Sequence, residues 1–154
     1  MDWRELLRVD PVPPLLDTGD PALDYFVRRD LLEEKVVPVV SLWELPAVAK
    51  IVRKQQEDGS WRYAGKHTAP THNYDLLETF RQAGILVEQY GLTRQHPAMA
   101  RAAEYFFSCQ TDEGDFRGII GNQYMPYYSG VIMERLIRAG YGDDPRLAAA
   151  FEWL

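Results

Sequence analysis

The stretch Gln56-Glu57-Asp58-Gly59-Ser60-Trp61 is echoed farther along the chain by Gln110-Thr111-Asp112-Glu113-Gly114-Asp115-Phe116. In both copies a helix-like run ends in Gln, an acidic turn follows, a Gly gives the backbone freedom, and an aromatic residue comes next. The helical segments 77–84 and 133–140, which follow the two copies, also match each other at a spacing of roughly 55 residues. Recurrence of this kind predicts tandem helical repeats.

Each copy has the residues of a structural clamp. The amide of the Gln can bind backbone groups that are left unpaired where helix ends meet. The Gly permits a positive φ at the turn, and the aromatic ring can cover the amide and exclude water from its hydrogen bonds. The second copy has one more residue between its Gln and its Gly. The predicted clamp residues are Gln56, Gly59, Trp61, Gln110, Gly114 and Phe116.

The order of Gln56, Gly59 and Trp61 resembles the repeat of the terpenoid cyclase and protein prenyltransferase superfamily, to which squalene cyclase-type proteins belong. The segment 20–32 also looks like the opening of a group of uncharacterised prokaryotic proteins with prenyltransferase and squalene oxidase repeats. The resemblance implies an all-α fold, in which antiparallel helix hairpins form an inner and an outer layer and build part of an α/α toroid. It implies no single activity, because the same toroid serves cyclases, prenyltransferases and thioester proteins.

The chain has 154 residues, which predicts one domain over 1–154. N-terminal helices are expected within 1–50, with Asp20 capping a helix that starts at Pro21, and the repeat turns follow at 56–61 and 110–116. The sequence ends before a third Gln turn. We therefore expect either a fragment of a longer array or a short member that covers its exposed end by self-association, because solenoid ends need caps.

Charge and composition restrict the partners. The formal net charge is −6, the pI is about 5.1, and no long basic run is present, which disfavours a nucleic-acid partner. There is no apolar run long enough to span a membrane and no signal-peptide pattern. The single cysteine, Cys109, excludes an intramolecular disulfide. Cytoplasm is the expected compartment.

A divalent metal is one candidate cofactor. His67, His72 and Asp75 have metal-ligand side chains, and helical spacing can bring His72 and Asp75 together while His67 arrives from a loop. The alternative is that His72 caps a helix and His67 lies in solvent. Cys109 has two interpretations as well, a nucleophile or thiolate ligand and a small core residue.

Recognisable catalytic motifs are missing from the sequence. It contains no cyclase acid motif, no prenyltransferase zinc motif and no thioester motif, which leaves open whether the chain is an enzyme. Two acidic pairs, Asp112 with Asp115 and Asp143 with Asp144, invite comparison with a cyclase acid. Their spacing differs from that motif, so we expect them to serve as turn and capping residues.

Aromatic residues supply the best candidate site. The loops 67–75 and 123–130 occupy equivalent places ahead of two helices and should converge at one rim, where they would present Tyr74, Tyr124, Tyr127 and Tyr128. Such a rim predicts binding of an apolar or isoprenoid small molecule. The alternative interpretation is that these rings pack the core. The alternative function is a non-catalytic structural or protein-interaction repeat module, which would self-associate or join a remaining part of its chain.

Overall fold

The computed structural model describes residues 3–154, and within this range the chain is all-α, as predicted. No β-sheet forms among the described residues, where extended pairing is limited to isolated bridges. Of the helices in residues 3–154, none has the length and apolar character needed to cross a membrane. The α-helices are α1 (Val12–Leu16), α2 (Pro21–Phe26), α3 (Pro46–Val52), α4 (Tyr74–Glu88), α5 (Pro97–Ser108), α6 (Pro126–Leu136) and α7 (Pro145–Trp153).

Short irregular helices complete the chain. Single π-helical turns at Val27–Leu31 and Ile137–Tyr141 extend α2 and α6. A 3-10 helix at Trp3–Leu6 occupies the place of the amphipathic helix expected there. A second 3-10 helix, Val39–Glu44, lies in the valine-rich segment for which the sequence predicted a connector or a short helix rather than a strand.

Local sequence accounts for most helix starts, because proline stands in the first turn of α1, α2, α3, α5, α6 and α7. The predicted caps are confirmed. Asp20 accepts hydrogen bonds from the backbone N–H groups of Ala22 and Leu23 at 2.8 and 3.0 Å, and His96 and Asp144 cap α5 and α7 in the same way. The start of α4 needs a correction, since Asn73 rather than His72 is its cap.

A glycine commonly ends a helix, but α4 continues through Gly84 to Glu88. A Cβ at Gly84 would lie 2.5 Å from the guanidinium carbon of Arg135, so this glycine allows α6 to approach α4. The same Arg135 donates hydrogen bonds to the Phe80 carbonyl and to Glu88, each at 2.7 Å. Gly84 therefore serves helix packing and not helix termination.

One hydrophobic core runs through the two repeat units, and the N-terminal segment packs against it. In that segment Ala22, Tyr25 and Leu42 form a small buried cluster, which Trp43 and Leu45 join to the main core. The largest fully buried side chains of the main core are Trp61, Phe106, Phe116, Leu76, Leu86, Leu92, Met99, Ile132, Met133, Leu136 and Leu147.

The clamp glutamine of the first turn is Gln55, which corrects the assignment of Gln56. The Gln55 side-chain amide donates to the carbonyls of Gly59 (2.9 Å) and Ala98 (2.8 Å). Gln110 donates in the same way to the carbonyls of Gly114 (2.7 Å) and Arg146 (2.8 Å). With Gln55 in place of Gln56, the second turn has no extra residue.

Each turn also docks on a helix through its glycine. Gly59 and Gly114 have φ values of +90° and +108°, and a Cβ would lie 2.2 Å from the carbonyl oxygen of Arg101 in α5 or 2.3 Å from that of Ala149 in α7. The contacts of the two turns therefore correspond one to one. They make α5 and α7 equivalent helices, with Ala98 and Arg146 at matching positions.

We expect Gln55→Ala and Gln110→Ala each to lower the free energy of unfolding by about 1–3 kcal/mol, because each change removes two side-chain hydrogen bonds, one within the turn and one that joins the turn to the following helix. Gln56→Ala is the matched control. It removes a bond to the Ser60 hydroxyl and a longer one, at 3.4 Å, to the Asp75 carboxylate. Ser60 keeps Asp58 and Asp75 keeps the Tyr63 N–H as partners, so its cost should be smaller. Urea unfolding measures the differences, and a Gln56→Ala cost equal to that of Gln55→Ala would contradict the corrected assignment.

Candidate functional site

The loop ahead of α4 contacts the loop ahead of α6 at Gly118, which precedes the segment 123–130 that was predicted to converge with 67–75. The backbone N–H of Asn73 donates to the carbonyl of Gly118 at 2.8 Å. Between the loops lies an open groove of about 530 Å³. Most of its lining residues have polar side chains and none is Phe, Tyr or Trp; they are Thr71, His72, Thr111, Arg117, Gly118, Ile120, Gly121, Asn122 and Gln123.

The four tyrosines predicted to form a rim lie in three separate groups of rings. Tyr74 stacks on Tyr63 and His67, with centroid distances of 5.1 and 4.6 Å. Its hydroxyl oxygen interacts with the Thr68 side chain and accepts from the backbone N–H groups of Ala69 and Thr68. These hydrogen bonds, the one with the Thr68 side chain above all, lower the pKa of Tyr74. Tyr74 therefore organises the loop that precedes α4.

The other three tyrosines contact different partners. Tyr128 packs edge-on against Phe80 at 5.2 Å, and the exposed Tyr127 contacts Tyr128 at 5.3 Å. Tyr124 stacks on Trp153 of α7 at 6.2 Å and donates from its hydroxyl to Glu113 at 2.9 Å. Within residues 3–154 these contacts divide the predicted ligand-binding set, so the common rim is corrected to three local packing arrangements.

The predicted metal site is not assembled. Among residues 3–154 no three His, Cys, Asp or Glu side chains are grouped so that they could hold a metal ion. Asp75 instead accepts from the Tyr63 backbone N–H at 2.9 Å and, more weakly, from the Gln56 amide at 3.4 Å. His67 stacks on Tyr74, and His72 lines the polar groove. The residues that were expected to bind a metal thus take part in aromatic stacking and in hydrogen bonds of the turn instead.

Cys109 lies at the end of α5 and packs against the main core. Burial raises the pKa of its thiol, which lowers the fraction of reactive thiolate at neutral pH. These properties favour the small core residue over the nucleophile.

Sequence reasoning missed a buried ion pair in the second turn. Asp115 is fully buried, and its carboxylate accepts two hydrogen bonds from the guanidinium of Arg117 at 2.8 and 2.9 Å. The hydroxyl of Thr111 also donates to it. In the first turn the equivalent buried residue is Ser60, which bonds to Asp58. Aligning the two turns from Gln55 and Gln110 places Asp115 opposite Ser60. Only that alignment could have indicated from the sequence that Asp115 is buried.

The chemistry of Asp115 is that of a stable anion. Burial alone would raise its pKa, but the hydrogen bonds from Arg117 and Thr111 outweigh burial and hold the pKa below its ordinary range. A cyclase acid needs the opposite, a carboxyl group kept neutral in an apolar cavity. Asp144 caps α7, and Asp143 pairs with Arg94 at 3.2 Å. These carboxylates therefore serve the turns and caps in which they lie.

We expect Asp115→Asn to lower the free energy of unfolding by about 1–3 kcal/mol at neutral pH, because the change removes the buried carboxylate that pairs most closely with Arg117 and leaves that guanidinium, among the described residues, with only the longer pair to Glu113. The folded-state pKa of Asp115 is depressed, so its stabilisation is present above the unfolded-state pKa, which is about 4, and is lost as the pH falls through the folded-state value. The difference between variant and parent should therefore shrink in acid.

Asp112→Asn, an exposed carboxylate in the same turn, is the matched control. Urea unfolding of the three proteins at neutral and acidic pH tests the expectation. Equal stabilities of parent and Asp115→Asn at neutral pH, or a difference independent of pH, would contradict it.

No protein-family model matches the chain, and no curated protein or solved structure shows significant similarity to it. The resemblance to terpenoid cyclase-type repeats and the cytoplasmic location therefore stay predictions. A function for this chain has to come from its own side chains and surfaces.

Proposed function

We propose that this chain is a non-catalytic protein-interaction module that associates through a face formed by α6 and α7. This terminal face consists of Gly130, Met133, Ile137, Phe151 and Leu154, with Glu134 and Arg138 at its edge.

One observation carries the proposal. The two clamps set α7 in register with α5, so Phe151 and Leu154 correspond to Ala103 and Phe106. Both α5 residues are fully buried, whereas Phe151 is 55% and Leu154 62% exposed. The positions that are buried in α5 are therefore exposed at the end of α7.

The inner helix adds to the same patch. Ile137, just after α6, is 42% exposed, and a shallow apolar cleft of about 210 Å³ separates it from Phe151 and Leu154. Contiguous exposed apolar surface with charged residues at its edge is typical of protein interaction sites.

A second copy of this chain is the partner that fits. The first repeat unit is already covered, because Trp43 of the N-terminal segment donates to the Gly91 carbonyl at 3.3 Å and packs on His96. The terminal face would therefore pair with another terminal face about a two-fold axis. Such pairing requires a self-complementary patch, and the ion pair of Glu134 with Arg138 supplies both charges at the edge.

We further infer that the two units are consecutive repeats of an α/α toroid of the terpenoid cyclase type. The shared Gln clamp and the equivalence of α5 with α7 support this. An apolar or isoprenoid ligand at the tyrosine rim is the less favoured function, because the four rings contact different partners.

The protein should form dimers whose fraction rises with concentration, as measured by analytical ultracentrifugation or native mass spectrometry. Phe151→Lys and Leu154→Lys should each raise the dimer Kd by about tenfold or more, because a charge would then be buried in an apolar contact. Lysine near the end of α7 is compatible with the helix dipole, so the fold should persist.

Val37→Lys is the matched control, since Val37 is 61% exposed and belongs to the N-terminal segment. Its dimer Kd should equal that of the parent. A parent protein that stays monomeric at every accessible concentration would overturn the proposal, and so would a Val37→Lys variant that dissociates as readily as Phe151→Lys.

A further inference from the structure

A second surface, remote in sequence from the terminal face, combines an apolar floor with unpaired positive charge. This groove has a volume of about 690 Å³ and lies among α3, the Trp61 turn and α4. Its volume falls within the range of small-molecule sites, roughly 300–1,000 Å³. We name it the lysine groove after Lys50 and Lys54, which line it together with Arg62.

The apolar part of the groove is rigid. Trp61 is only 2% exposed and donates from its indole N–H to the carbonyl of Ile51 at 2.9 Å. Ile51 and Ile85 are half-buried on either side, and Ala47 and Ala64 leave the groove open. An alkyl chain lying on this floor would remove apolar surface from water without rearranging the core.

The charged part of the groove has no partner within the described chain. Across residues 3–154 the ion pairs of the protein involve other cations, and Lys50, Lys54 and Arg62 take part in none of them. The one carboxylate in the lining, Glu78, already accepts from Gln82 at 2.6 Å and pairs with Arg81 at 3.6 Å. Three free cations thus cluster on a protein whose net charge is −6.

We propose that the lysine groove binds a soluble single-chain amphiphile with an anionic head group, such as a long-chain carboxylate or alkyl phosphate. The alkyl chain lies on Ile51 and Ile85, above the buried Trp61, and the head group contacts Lys50, Lys54 and Arg62. A cationic amphiphile would meet repulsion from all three cations, and a small inorganic anion would gain nothing from the apolar floor. Both halves of the groove are therefore needed for recognition.

Isothermal titration calorimetry with laurate and with dodecyl phosphate, each below its micelle concentration, tests the proposal. Saturable binding of at least one of them is expected. Dodecyltrimethylammonium and inorganic phosphate should bind at least tenfold more weakly, since each lacks one of the two recognised features. Binding of the cationic amphiphile as tight as that of laurate would overturn the role of charge.

Variants locate the site. Lys50→Gln combined with Lys54→Gln should weaken binding by about tenfold, and Ala64→Glu, which adds an anion at an exposed position, should do the same. Lys66→Gln, an exposed lysine outside the groove, is the matched control and should bind like the parent. Unchanged affinity in both groove variants, or absence of saturable binding by the parent, would overturn the proposal.

Two further measurements distinguish ligand binding in the lysine groove from binding at the terminal face and from binding to a membrane surface. Phe151→Lys should bind laurate like the parent, because the groove and the terminal face share no residue. Loss of ligand binding in that variant would contradict the independence of the two surfaces. Binding to anionic lipid vesicles without binding to monomeric laurate would show a membrane-surface contact and overturn the proposal of a soluble ligand.

Discussion

The hydrogen bonds of one glutamine side chain hold each repeat unit to the helix that follows it. The amide nitrogen of Gln55 donates to Gly59 in its own turn and to Ala98 at the start of α5, which lies 43 residues away. Gln110 joins Gly114 to Arg146 of α7 in the same manner. Both amide protons are used, so a single side chain closes a local turn and fixes a long-range contact.

The close approach of each turn to its helix also accounts for the glycine and the buried aromatic ring of the turn. Gly59 and Gly114 face helix carbonyls at distances that no Cβ could tolerate, and the aromatic rings of Trp61 and Phe116 bury the junction. What fills the turn is less constrained. A hydroxyl at Ser60 and a carboxylate at Asp115 occupy the same buried position, where Ser60 bonds to Asp58 and Asp115 pairs with Arg117. The same turn therefore accommodates different buried polar side chains.

The repeat also explains where the chain keeps apolar surface in contact with water. In α5, Ala103 and Phe106 are fully buried, whereas the corresponding residues at the end of α7, Phe151 and Leu154, are exposed. The lysine groove has a different origin, since it lies where small side chains on α3 and in the loop leave the half-buried Ile51 and Ile85 open to an alkyl chain above the buried Trp61.

Local sequence determined the all-α class and nearly every helix start, because a proline at the first helical position and a capping residue directly before it act within one turn of chain. Only the tertiary structure chose between adjacent glutamines, since Gln55 differs from Gln56 by reaching the carbonyl of Ala98. Only the tertiary structure showed that Gly84 allows helix packing against Arg135. It also showed that the four tyrosines lie in three separate groups of rings. These outcomes depend on atoms far away along the chain, and side-chain direction at such contacts is set by packing rather than by spacing.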